Sequence, residues 1–124
     1  MLQIASIALG GAIGALLRFG MSNGVYMLLG RAFPYGTLAV NALGSFIIGL
    51  VYVLMMEKMV ISEEWRAALM IGLLGSFTTF STFSIETMNL LEAGEISKAG
   101  LNMFISVGLC VAGCWVGMLL GRQM

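Results

Sequence analysis

Four long apolar stretches joined by short polar connections constrain this chain more than any other feature. They cover roughly residues 3–29, 36–56, 65–91 and 97–121, and each reaches the ~20 residues that cross a bilayer as a helix. Of 124 residues, 60% are hydrophobic and 10% are charged, too few charges to coat a soluble core. The sequence therefore predicts an all-α membrane protein, residues 1–124 forming a single four-helix transmembrane domain.

Composition also excludes several classes of function. Net charge is zero and histidine is absent, so nothing indicates a nucleic-acid partner or imidazole chemistry. Catalysis would need a nucleophile with its base, a metal cluster or a phosphate-binding loop, and we find none of these patterns. Cys110 and Cys114 lie four residues apart in an apolar run, which suits small packing residues better than a disulfide. We therefore expect no enzyme.

The basic residues in the connections nearly balance between the two sides of the predicted bundle. One side holds Lys58, Arg66 and Arg122, and the other holds Arg31 and Lys98. Because lysine and arginine in loops set orientation, a chain with so little bias can insert both ways, and two copies can pair in opposite orientations. Four helices enclose little volume, which also favours assembly.

Glycines spaced by four mark close helix packing in the first and fourth spans. They are Gly10 and Gly14, and then Gly113, Gly117 and Gly121. Packing within one subunit and packing between subunits both explain this spacing, and the pattern does not separate them.

Polar groups inside the spans need partners or water, so they are candidate functional residues. Arg18 lies in the middle of the first span, where it requires a partner or a wet vestibule unless its side chain reaches the interface. Thr37, Asn41 and Ser45 recur every four residues on one face of the second span. Interhelical hydrogen bonds could explain one such residue, but three in register favour a hydrated path.

The third span is dense in hydroxyls and carries two glycines, so we predict a break between Gly75 and Thr79, with freed carbonyls available to a cation. Phe77, Phe80 and Phe83 are spaced by three and form either core packing or an aromatic column whose ring edges face an ion. Glu86 would bond to hydroxyls or pair with a cation such as Arg18.

The fourth span repeats the polar spacing with Asn102, Ser106 and Cys110. Together the lining offers neutral hydrogen-bond donors and aromatic edges, which suit a small anion. Hydroxyls also accept hydrogen bonds, so water and cations stay open on the residues alone.

Three stretches of this sequence resemble the Fluc (CrcB) fluoride channel family, and the similarity spans nearly the whole chain. They are GGAIGALLRF at 10–19, GTLAVN at 36–41 and, most specifically, GSFTTFSTFSIE at 75–86. The resemblance implies a passive fluoride channel in the bacterial inner membrane, built as an antiparallel dual-topology homodimer with two pores and surrounded by lipid. Some family members carry more hydroxyls where this chain has Asn102 and Cys110.

The resemblance also implies roles for particular residues. The carbonyls of Gly75 and Thr78, from both subunits, would bind a central structural sodium ion. Arg18 would belong to a basic vestibule and Glu86 to a polar network near the pore. Fluoride would meet Asn41, Phe80 and Phe83, with hydroxyls from Ser81, Thr82, Thr37 and Ser106 along the route.

Two rival functions fit part of the sequence. A small multidrug exporter is also a short four-helix dimer, and it uses a membrane carboxylate to exchange protons for cationic drugs. The first span of this chain carries no acidic residue, and Arg18 would repel cationic substrates there. A helical assembly factor explains the glycines and leaves the polar residues without a role.

Overall fold

A computed structural model describes residues 1–58 and 61–124. The helices are α1 (Leu2–Leu29), α2 (Tyr35–Lys58, whose last turn Leu54–Lys58 is π-helical), α3 (63–77), α4 (Phe80–Glu92) and α5 (Ile96–Gln123). No strand occurs within those described ranges. Four helical spans, with α3 and α4 forming the third, are long and apolar enough to cross a membrane, as a multi-pass protein requires. The predicted spans are confirmed to within two residues at each end.

Two glycines make the sharp turns that bring neighbouring spans antiparallel. Gly30 follows α1 with φ of 83°, and Gly94 follows α4 with the same φ. This left-handed region strains any residue with a Cβ atom. The turn at Gly94 is short enough for α5 to start at Ile96.

The helices form two close pairs, α1 with α3 and α2 with α5. In the first pair, a Cβ atom added at Gly14 would overlap the carbonyl oxygen of Leu73. In the second, a Cβ added at Gly49 would overlap the carbonyl of Cys114, and one at Gly117 would overlap that of Phe46. Backbones therefore touch at these glycines.

These contacts separate the two explanations left open for the spaced glycines. Gly10 and Gly14 face α3, and Gly117 and Gly121 face α2, while Gly113 sits more loosely near Ala42. Their packing is within one subunit. Cys110 and Cys114 are both free thiols in the described chain.

The third span is broken, as the sequence predicted. α3 ends at Phe77, and Thr78 and Thr79 are extended, with ψ of 158° and 122°. Thr79 then caps α4, because its hydroxyl oxygen accepts a hydrogen bond from the Thr82 backbone N–H at 3.2 Å. Gly75 itself stays helical. The sequence did not predict the π-helical winding of α3 over Ala67–Leu74.

Candidate functional site

The break is bound to α2 by a two-way hydrogen-bonded pair. The Asn41 side-chain amide donates to the carbonyl oxygen of Thr79 at 2.8 Å, and its oxygen accepts from the Thr79 N–H at 2.7 Å. A side-chain amide has a donor and an acceptor on one group, so it can satisfy both backbone groups of an extended residue. Asn41 thus fixes the position of the break.

Arg18 binds the same break from α1. Its Nε donates to the carbonyl oxygen of Ser76 at 3.1 Å, a group whose helical partner is lost where α3 ends. The arginine therefore has a partner in mid-span. The sequence did not identify Ser76 as that partner. The available indication was that carbonyls freed in a membrane need a donor, and Arg18 is a donor in mid-span.

Two carbonyls of the break lose the donors that a continuous helix would provide. The Thr79 N–H, four residues after Gly75, goes to Asn41 instead. The Thr82 N–H, four residues after Thr78, goes to the Thr79 hydroxyl. The carbonyls of Gly75 and Thr78 are thereby released, and Gly75 is exposed. Carbonyl oxygens are suitable ligands for a hard cation, so these two residues fit the sodium role that the resemblance implies.

Two cavities meet at the break. The arginine cavity, about 170 Å³, is lined by Ala15, Arg18, Phe19, Ser22, Asn23, Thr37, Val40, Thr79 and Thr82. The phenylalanine cavity, about 340 Å³, is lined by Asn41, Gly44, Ser45, Ile48, Thr78, Thr79, Phe80, Phe83, Ser106, Val107, Cys110 and Val111. Thr79 borders both cavities, and Asn41 is bonded to it, so this pair lies at their junction.

The structure distributes the predicted fluoride residues between these cavities. Asn41, Phe80, Phe83 and Ser106 line the phenylalanine cavity. Thr37 and Thr82 line the arginine cavity together with Arg18. Ser81 lines neither; it is exposed, and its hydroxyl lies 3.4 Å from that of Thr79.

Two of the three spaced phenylalanines are neighbours. The ring centroids of Phe80 and Phe83 are 5.3 Å apart and tilted by 42°, a favourable geometry for an aromatic pair. Phe83 is buried, whereas the Phe80 side chain is 75% exposed. Phe77 precedes the break, and its ring lies beside Gly44 on α2. The break thus separates Phe77 from the other two rings.

The electrostatics at the junction favour an anion. α4 begins at Phe80, so the positive end of its helix dipole lies beside the cavities that Phe80 and Thr82 line. The Arg18 guanidinium lines one of them. Neutral hydroxyls and an amide supply further donors.

A hydrogen-bonded chain connects α4 to the polar face of α5. The Thr87 hydroxyl donates to the Phe83 carbonyl at 2.8 Å and accepts from the Asn102 amide at 2.9 Å. Asn102 in turn accepts from the Ser106 hydroxyl at 3.3 Å. Asn102 is 1% exposed, so it orients Ser106, while Cys110 lines the cavity one turn further on.

Glu86 bonds to a hydroxyl rather than to arginine. The Tyr26 hydroxyl donates to its carboxylate at 2.8 Å and lies 3.5 Å from the Thr37 hydroxyl. The ion pairs found in the described ranges are Glu95 with Lys98 and Glu57 with Arg122, so the alternative pairing with Arg18 is not formed. Tyr26 was not predicted from the sequence as a partner of Glu86. Its spacing of eight residues from Arg18 on α1 could have identified it.

Comparison with known proteins decides the family. A model of the CrcB-like (camphor resistance) proteins matches residues 5–118. The chain belongs to the CrcB family. Among CrcB relatives, a protein of Magnetococcus marinus is 54% identical over 98% of each chain, and one of Geobacter sulfurreducens is 51% identical over the full length of both. Both are described as "Fluoride-specific ion channel FluC". These relatives are channels rather than enzymes.

A longer CrcB relative, in Methylococcus capsulatus, carries the same description. It is 52% identical over 99% of this chain, which spans only 54% of that protein. The match therefore covers about half the length of the Methylococcus protein.

Proposed function

We propose that this chain is a fluoride-selective passive channel of the bacterial inner membrane that exports fluoride from the cytoplasm. The observation that carries the proposal is the junction at Thr79, where two cavities, a helix N-terminus and the Asn41 amide meet. Fluoride is small and strongly hydrated, so its path must return several hydrogen bonds for each water removed. The Arg18 guanidinium and the second N–H of the Asn41 amide would contribute such hydrogen bonds, and no carboxylate of the described chain lines either cavity.

Export needs no pump in this proposal. In acid surroundings neutral hydrogen fluoride enters and ionises in the less acidic cytoplasm, and the anion then leaves down the membrane potential. In this proposal the arginine cavity and the phenylalanine cavity, which share the lining residue Thr79, would form the two ends of the fluoride path. Export would lower fluoride toxicity to the cell.

We further propose that the functional unit is an antiparallel homodimer of chains with dual topology and two pores. Phe80 lines the phenylalanine cavity yet is 75% exposed, so one chain leaves the cavity incompletely enclosed. The released carbonyls of Gly75 and Thr78 are only two oxygen ligands, fewer than a hard cation usually takes in a protein. Two chains that meet at their breaks would bring four such carbonyls to a structural sodium ion, and the charge of the ion would hold the two breaks together.

The test of function is ion efflux from liposomes that contain the purified protein. Vesicles are loaded with fluoride or with chloride, a potassium shunt is opened, and release is followed with an ion-selective electrode. We expect fast fluoride loss and negligible chloride loss. If neither ion leaves while a proton gradient drives uptake of a cationic dye, the exporter is the correct function instead.

Replacing Phe80 with isoleucine is expected to abolish fluoride efflux in this assay. Isoleucine keeps an apolar, somewhat smaller side chain at this position but lacks the polarised aromatic edge. Phe104→Ile is the matched control, because Phe104 lies on α5 with 82% of its side chain exposed and lines neither cavity. Wild-type efflux in Phe80→Ile, with dimers retained on a sizing column, would remove this ring from the pore.

A further inference from the structure

A groove of about 620 Å³ runs between α1 and α3 and shares no lining residue with the two cavities at the break. Most of its walls are apolar, and Ser62, Glu64 and Trp65 lie at one end. We call this the α1–α3 groove; its other lining residues are Leu2, Ser6, Leu9, Gly10, Ile13, Ala68, Leu69 and Leu73. The functions proposed for the residues at the helix break do not explain this groove.

The dimensions of the α1–α3 groove match one leaflet of a bilayer. Its wall on α1 extends from Leu2 to Ile13, a rise of roughly 16 Å along a helix. Half of a hydrocarbon core of ~30 Å is about 15 Å. Trp65, at one end, is 65% exposed, as expected of a tryptophan at the level of the lipid headgroups. The groove is therefore long enough for an acyl chain of one leaflet, with Trp65 at the level of its headgroup.

The charge at the Trp65 end of the groove indicates which lipid headgroup would bind there. Glu64 is the charged residue among those lining the groove, and it makes no ion pair within residues 1–58 and 61–124. The neighbouring Arg66 points elsewhere, because its guanidinium donates to the Met56 sulfur at 3.6 Å and to the Ile61 carbonyl at 3.4 Å. The rim thus presents a carboxylate that has no ion-pair partner among the described residues, and such a group attracts an ammonium group and repels an anionic headgroup.

We propose that the α1–α3 groove binds one acyl chain of a phospholipid with a primary-amine headgroup, and that Glu64 binds its ammonium group. Phosphatidylethanolamine has this chemistry. A choline headgroup has the same charge but lacks N–H donors, and a glycerol headgroup leaves the lipid anionic. The proposal requires only that the helices lie in a bilayer, so it does not depend on which ion the protein conducts.

Trp65 is a built-in reporter for this lipid. The chain has two tryptophans, and Trp115 lies on α5 outside the groove, so the variant Trp115→Phe leaves Trp65 as the only indole. This protein is reconstituted in phosphatidylcholine vesicles that contain equal fractions of brominated phosphatidylethanolamine, phosphatidylglycerol or phosphatidylcholine. Bromine quenches tryptophan on contact. We expect binding to the ethanolamine lipid about three- to fivefold tighter than to the others, as for an exposed ion pair.

Two further substitutions in this background test the assignment. Glu64→Gln is expected to remove the preference, and Glu63→Gln, which changes an exposed carboxylate outside the groove, should retain it. Ser6→Phe, which fills the groove, should reduce quenching by all three lipids. Equal quenching by the three lipids, or equal effects of Glu63→Gln and Glu64→Gln, would overturn the proposal. Quenching by none of them, with loss of dimers in Ser6→Phe, would show that a second copy of the chain fills the groove.

Discussion

Replacing Gly14 with alanine is expected to lower the free energy of unfolding by about 3 kcal/mol, the upper end of the cost of overpacking. The new Cβ atom would overlap the Leu73 carbonyl oxygen and lie 3.0 Å from the carbonyl carbon. Both are backbone atoms of a helix, which cannot turn aside as the end of a flexible side chain can. α1 and α3 must then move apart locally, which weakens their packing around Leu73.

The measurement is loss of helical circular dichroism as the purified protein is titrated with sodium dodecyl sulfate. Gly24→Ala is the matched control on the same helix, because a Cβ added there would meet no described atom within 4 Å apart from its chain neighbours and the backbone of its own helix. Alanine also favours a helix over glycine, so the control should unfold no earlier than the wild type. Similar midpoints for Gly14→Ala and the wild type would contradict the close contact with Leu73.

Replacing Asn41 with aspartate is expected to lower fluoride efflux at least about 100-fold, which corresponds to ~2.7 kcal/mol. Aspartate keeps the acceptor for the Thr79 N–H but loses the donor to the Thr79 carbonyl, and it places a carboxylate against that oxygen. The break must shift, and the added negative charge opposes an anion at the junction of the two cavities. Both effects act in the same direction.

The efflux assay described above measures this loss, with chloride as the second ion. Asn89→Asp makes the same amide-to-carboxylate change at an exposed position on α4 that lines neither cavity, and it should conduct normally. Dimers of Asn41→Asp should still form, because the side chain contacts its own subunit. Efflux within twofold of wild type would show that this pair does not control conduction.

The sequence was sufficient to predict the spans and the broken third helix, because both follow from composition over many residues. Apolar length fixes the number of crossings, and the hydroxyl-rich stretch weakens the helix near Thr78 and Thr79. The π-helical winding of Ala67–Leu74 could not be predicted, because π-helices are rare and no sequence pattern in this stretch indicates them.

The candidate site was predictable as a set of polar residues but not as a set of contacts. The sequence singled out Arg18 and Asn41, while their partners are backbone groups of Ser76 and Thr79. Every residue has such backbone groups, so no pattern of side chains identifies them. For Glu86 the sequence predicted a hydroxyl partner but did not identify Tyr26, because many hydroxyl groups lie in the spans.

The pairing of helices has a consequence for biosynthesis. α1 packs mainly against α3 and α2 mainly against α5, so neither of the first two helices has its principal partner next to it in the chain. A ribosome delivers the helices in order, and α2 therefore waits in the membrane until the last helix has emerged. Until then the glycine face around Gly49 is uncovered, and a nascent chain interrupted before α5 would present that face to the membrane's proteases.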